Sequence, residues 1–349
     1  MSPSRTRGPL ASPSAAGYRM PGEFEPHAAT WLAWPGRTTR AWADTDAITR
    51  TIASIAHAIG RFEPVRVAVD PEFDGEAMRL LGPDIERIAM PVDDIWIRDS
   101  GPSFLVAATG ARAATAWNFN AWGGKIPNHA SDRTLASRIA AFLGLPCHTA
   151  SIVTEGGALH VDGEGTVVVT ESALLNANRN PGLDRAAVEA ALKDGLGAEK
   201  VIWIPGERHD SITDGHVDGL MTFTRPGGAL FEVSDDPAHP RYALLREQRR
   251  ALERATDAQG RRLEVGVLSR PRNIAPKSAD FCGIYVNCLI LNGAVLIPEF
   301  GDRVADDCAR DVFRRVFPGR TVVPLRIDPI AEGGGGIHCV SQQEPLATT

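Results

Sequence analysis

The chain has 349 residues, 43% of them apolar, and a formal charge of -6 with both signs spread along its length. That is enough to bury a large core, and the scattered charge excludes the basic stripe that a nucleic-acid binder carries. No run approaches the roughly 20 apolar residues of a membrane span.

In chain order, residues 1–17 are rich in Ser, Pro and Ala and are expected to form an unstructured tail rather than a signal peptide. Residues 18–349 then form one domain. The stretch 44–60, DTDAITRTIASIAHAIG, sets Ile48, Ile52, Ile55 and Ile59 on one face of a helix. VRVAV at 65–69 has strand character. A second helix over 131–144 aligns Leu135, Ile139 and Phe142. There follow a strand at 166–170, a helix near 184–194, strands at 201–204 and 229–233, and a helix near 240–257. Strands at 285–291 and 294–297 and a helix near 303–317 complete the series. Strands and helices alternate without a break in composition, which predicts an α/β protein. EGGALHV at 155–161 is echoed by EGGGGIHCV at 332–340, a hint of a repeated unit.

The five cysteines, Cys147, Cys282, Cys288, Cys308 and Cys339, are odd in number and widely spaced. They suit the cytoplasm better than a disulfide framework or a zinc knuckle. Cys339 alone follows four glycines, Gly333 to Gly336, a run for which a packed strand has little use. A nucleophilic cysteine needs a positive neighbour or a base. His216 and Asp218, two apart in GHVD, face one side of an extended segment. His160 and Asp162 repeat the spacing. A metal site built from His160, Asp162, His216, Asp218 and Cys339 therefore competes, although it lacks the tight spacing of metal motifs. In DDIWIRDSGPSF, 93–104, Arg98 is expected to pair with Asp94 or Asp99, leaving a carboxylate beside Trp96 for a cation. The glycines of NAWGG, GEG and GGGG lack nucleotide-loop spacing.

Together these blocks resemble the agmatine deiminase family of the guanidine-modifying superfamily. The resemblance runs through MPGEFEPHAATWLAWPG (20–36), DDIWIRDSGP, FNAWGG, EGGALHVDGEGT, LLNANRNPG (174–182), TDGHVDG and GGGGIHC followed by QQEP. It implies an α/β propeller, five ββαβ units around a pseudo-fivefold axis. It also implies a nucleophile at Cys339, an acid/base at His216, a partner for that histidine at Glu155, and two guanidinium-gripping carboxylates at Asp94 and Asp218. Trp96, Trp122 and Gly123 are candidates for the substrate pocket.

The implied reaction is hydrolysis of agmatine, a small cationic guanidine, to N-carbamoylputrescine and ammonia, with neither metal nor cofactor. Deimination of another guanidine, such as arginine or peptidylarginine, stays open, as do amidino transfer, a metal hydrolase and a binding protein that has lost the chemistry. Nucleic acid and membrane are not expected partners, and a homo-oligomer stays open. The chain departs from the family pattern at Gly336 and Gly219, where asparagine is common.

Overall fold

Three of the long helices begin where an aspartate caps them. A computed structural model describes residues 10–42, 44–207, 211–275 and 278–347. Asp44, Asp184 and Asp302 each cap the helix that follows, accepting from Ala47 N, Ala187 N and Ala305 N. Helix Thr45–Gly60 buries Ile48, Ile52, Ile55 and Ile59 completely. Helix Arg185–Leu196 stops at Gly197, whose left-handed φ of 63° suits glycine. The second predicted helix is a 3-10 turn, Asp132–Thr134, followed by Leu135–Phe142. Its Leu135 and Ile139 are fully buried. Phe142 is 49% exposed and meets the edge of Trp31 instead.

Among the described residues the strands assemble into five small sheets, and one connection pattern recurs. In the first unit, Ser103–Ala107 pairs antiparallel with Arg112–Ala116; helix Leu135–Phe142 follows, and Cys147–Thr149 returns parallel to the second strand. His160–Val161, Thr166–Thr170, helix Arg185–Leu196 and Lys200–Ile204 repeat it. So do Met221–Arg225, Gly228–Val233, helix Tyr242–Arg254 and Glu264–Ser269. The fourth unit comprises Leu289–Leu291, Ala294–Glu299, helix Arg303–Val316 and Thr321–Arg326. The fifth joins the two ends of the chain: Ser341–Pro345 pairs antiparallel with His27–Ala33, helix Thr45–Gly60 follows, and Val65–Val69 runs parallel to His27–Ala33. Parallel pairing requires a crossover, and a helix supplies it each time.

The expected strand over 285–291 is cut to Leu289–Leu291. Upstream of it, hydrogen bonds run to side chains instead of a partner strand: Val286 N donates to Glu232, and the Tyr285 hydroxyl to Asp306. Residues 1–9 of the expected tail lie outside the described residues. In the remainder of that segment, Leu10 N donates to the Cys147 carbonyl, and the hydroxyls of Ser12 and Ser14 donate to Asp194. Among the described residues no helix is long and apolar enough to cross a membrane.

Candidate active site

Each unit delivers polar groups from the turn that leads into its first strand. The helical turn Ile97–Ser100 carries Arg98 and Asp99 ahead of Ser103–Ala107. Glu155 and the 3-10 turn Gly156–Ala158 precede His160–Val161. His216 and Asp218 sit at the turn Val217–Gly219 before Met221–Arg225. Asn287 precedes Leu289–Leu291, and His338 and Cys339 precede Ser341–Pro345.

Three of these side chains converge on Gly157. A Cβ at that glycine would lie 2.7 Å from His216 Nδ1, 2.8 Å from Asp99 Oδ1 and 3.0 Å from Asp218 Oδ2. Only a residue without a side chain leaves that space to the three groups. Gly157 N itself donates to Asp99 Oδ1 at 2.9 Å. His216 Nδ1 is 3.8 Å from Asp99 Oδ1, and its Nε2 is 3.2 Å from Glu155 Oε2. Glu155, wholly buried, is held by Arg179 Nε, which donates to both of its oxygens at 2.8 and 2.9 Å.

Cys339 Sγ lies 3.5 Å from Asp218 Oδ2 and accepts from Asn287 Nδ2 at 3.2 Å. The other end of the Asn287 amide accepts from His338 N at 3.1 Å and Cys339 N at 3.4 Å. A Cβ at Gly336 would fall 2.5 Å from Asn287 Oδ1. The space of a side chain at 336 is thus taken by an amide from another unit. Gly219 is less crowded, with Ile284 the nearest neighbour at 3.7 Å.

The remaining glycines of the run also lie against bulky groups. A Cβ at Gly333 would strike Trp42 at 2.4 Å, one at Gly334 would meet Ile212 at 2.8 Å, and one at Gly335 would strike Trp96 at 2.3 Å. Trp42 and Trp96 stack, with ring centroids 6.0 Å apart and planes 12° from parallel.

Burial and charge shift the titrations. Burial disfavours the His216 imidazolium, but Asp99, Glu155 and Asp218 outweigh that and hold it up at about 9. Burial would raise Glu155, yet its bonds from His216 and Arg179 keep it below the ordinary carboxylate range. Asp99 is raised by burial and by the charges of Asp218 and Glu155. Asp218 is lowered because His338 overcomes its burial. Burial, then the Asp218 carboxylate, push the Cys339 thiol well above its usual range.

Asp94 is placed differently from the expectation that it grips the substrate beside Asp218. It accepts from Thr39 Oγ1 at 2.6 Å, Ile95 N at 2.8 Å and Trp42 Nε1 at 3.4 Å, and burial pushes it up to about 6. Asp94 therefore anchors the Trp42–Trp96 stack, while Asp99 of the same motif meets His216. Trp122 donates its indole N–H to Asp99 Oδ2 at 2.9 Å. It adopts φ 55°, next to Gly123 at φ 84°, and a Cβ at Gly123 would collide with Asn178 at 2.3 Å. Strain of this kind in a bulky residue gathers at functional sites. Of the metal candidates, Asp162 accepts from Glu164 N and Thr166 N in its own turn, and His160 stacks on His338. Among the described residues no group of three or more His, Cys, Asp or Glu is disposed to hold a metal ion.

Sequence reasoning passed over Asp99 as a site residue, and Asn287 and Arg179 altogether. Their signal was position, since Asp99 and Asn287 occupy the turn before a unit's first strand.

Comparisons with known proteins give the chain its relatives. The family model described as Porphyromonas-type peptidyl-arginine deiminase matches residues 19–345. The agmatine deiminase of Stutzerimonas stutzeri is 38% identical over 96% of this chain and 97% of its own. That of Pseudomonas aeruginosa is 37% identical over 97% and 98%. The solved agmatine deiminase of Enterococcus faecalis superimposes with a TM-score of 0.94 at 32% identity, covering 98% of this chain and all of the other. By the extent of these matches, the chain belongs to the Porphyromonas-type peptidyl-arginine deiminase family, alongside these agmatine deiminases.

Proposed function

We propose that the chain hydrolyses agmatine to N-carbamoylputrescine and ammonia, with Cys339 as nucleophile and His216 as acid and base. The observation that carries the reading is the convergence of Asp99, Asp218 and His216 on one point, with Asp218 also beside the Cys339 thiol. Two buried carboxylates suit a planar guanidinium, which they bind by charge-assisted, paired hydrogen bonds. Asp99 takes the place first given to Asp94.

The resting thiol is hard to ionise because it is buried and has the Asp218 carboxylate beside it. Binding the guanidinium brings a positive charge beside Asp218, and the thiol then loses its proton to solvent and ionises beside its target. The thiolate adds to the guanidinium carbon, the His216 imidazolium protonates the departing nitrogen, and ammonia leaves a thiouronium on Cys339. Neutral His216 next takes a proton from water. The hydroxide so formed displaces the sulfur and yields the ureido product. Glu155, itself fixed by Arg179, orients His216 and favours its charged form, as the acid of a catalytic triad does.

The repeated connection and the turn-borne site residues support a five-unit α/β propeller over residues 18–349, acting as one catalytic domain with the site on its axis. The unpaired cysteines, free among the described residues, support a reducing compartment, the cytoplasm. A second reading changes only the far end of the substrate. A cavity of about 470 Å³ lined by Thr213, Arg241, Arg270, Cys282 and Gly334 adjoins the glycine run. Among the described residues Arg270 Nη1 is buried there without a hydrogen-bond partner, which favours a guanidine bearing an anionic group.

Ammonia release from agmatine, free arginine and a blocked arginine peptide, with chelator present, separates the readings. Release from agmatine that Cys339→Ala abolishes is the expected result. Turnover of arginine in preference to agmatine would transfer the assignment to the second reading.

A further inference from the structure

Several motif residues have no part in the chemistry above, yet the structure gathers them into one buried cluster behind the nucleophile. Glu23 comes from MPGEFEP, Arg98 from WIRD, His160 from ALHVD, His338 from IHC and Gln343 from QQEP. All five are 6% exposed or less.

The His338 ring joins two carboxylates. Its Nδ1 lies 2.9 Å from Asp218 Oδ2 and its Nε2 3.0 Å from Glu23 Oε2. An ionised carboxylate only accepts, so both ring nitrogens must donate and the ring is an imidazolium. Arg98 balances the second negative charge: its Nη2 is 3.8 Å from Glu23 Oε2, its Nε donates to the His338 carbonyl at 3.2 Å, and its Nη1 donates to Gln343 Oε1 at 2.6 Å. Glu23 also accepts from Ile290 N at 2.8 Å. His160, held neutral by burial and by the His338 charge, stacks on the His338 ring at 5.1 Å and 18°.

We infer that Glu23 and His338 are positioning residues: the imidazolium clamped between Glu23 and Asp218 fixes the Asp218 carboxylate beside Cys339, ready for a guanidinium. The inference rests on the proposed carboxylate grip and extends it one layer outward. The Asp218 oxygen that accepts from His338 is the one 3.5 Å from the thiol. An error in its placement therefore passes directly to the substrate cation. Removing the Glu23 charge leaves the imidazolium beside Arg98 with one counterion fewer. The ring then donates to Asp218 as a neutral group, roughly half as strongly.

The test compares alkylation of Cys339 by a cationic haloacetamidine and by a neutral haloacetamide of the same shape. The ratio of the two rates reads the carboxylate grip without requiring turnover. The cation is expected to react faster with the unaltered protein, and Glu23→Gln to reduce the ratio about tenfold, as loss of a charge-assisted bond implies. With agmatine the same variant should raise KM more than it lowers kcat. His338→Gln carries the same expectation should Glu23→Gln fail to fold, and Glu23→Asp should restore part of the ratio. A folded variant that keeps the unaltered ratio overturns the inference, as does an unaltered protein without preference for the cation. A ratio that falls as expected in a protein inert toward agmatine would sustain the inference and refute the substrate assignment alone.

Discussion

At the scale of single residues, His216 shows how three carboxylates can reverse the effect of burial. An imidazolium among acids is costly to desolvate, and only the sum of Asp99, Glu155 and Asp218 keeps it charged. His216, the proposed acid, therefore stays protonated through neutral pH, and kcat/KM should decline as pH rises through about 9. Glu155→Gln removes a hydrogen bond and a charge that hold the imidazolium, so the alkaline limb should move to lower pH; a pH–rate profile of the two proteins checks this. The sign for stability is the same. A raised histidine stabilises the fold fully below its unfolded value near ~6.5 and loses that contribution as pH climbs through about 9. Cys339, His216, Glu155 and Asp218, picked out by motif and resemblance, lie together in the structure. Asp99 was not picked out, because DDIWIRDSGPSF offers three carboxylates and the sequence does not choose among them, whereas the helical turn Ile97–Ser100 sets the direction of Asp99.

At the scale of elements, the glycine run is a backbone built to lie flat against aromatic rings. The Trp42–Trp96 stack, pinned by Asp94, leaves no room for a Cβ at Gly335. Gly335→Ala should displace the turn that carries Cys339, lowering kcat by an order of magnitude or more at a stability cost of about 1–3 kcal/mol. Thermal denaturation and ammonia release measured together separate the two effects. The long helices were legible in sequence because their apolar positions recur at helical spacing. Among the strands, those buried on both faces, such as Thr166–Thr170, show as apolar runs. Tyr18–Arg19 and Ser341–Pro345 lack that signature. The segment 285–288 looked like strand for the same reason, yet its polar groups are satisfied by Glu232 and Asp306. Side-chain partners at long range leave no trace in local periodicity.

For the whole molecule, the pairing of Ser341–Pro345 with His27–Ala33 sets the architecture. Glu344, 1% exposed, accepts from Trp31 Nε1 at 2.9 Å across 313 positions of sequence, and from Arg66 and Arg112. Glu344→Gln leaves two guanidinium groups short of a buried counterion. It should cost about 1–3 kcal/mol in a denaturant titration, since both guanidinium groups keep some solvent and Arg66 keeps Glu86. The repeat was only hinted at in sequence, since the fifth unit is divided between the chain ends and no fixed period reveals it. Cys339 stands immediately before the strand that closes this unit, so the proposed nucleophile travels on the clasp. An open clasp withholds Cys339 from the other four turns, and on the proposed mechanism enzymatic activity becomes a direct gauge of whether the two ends of the chain have met.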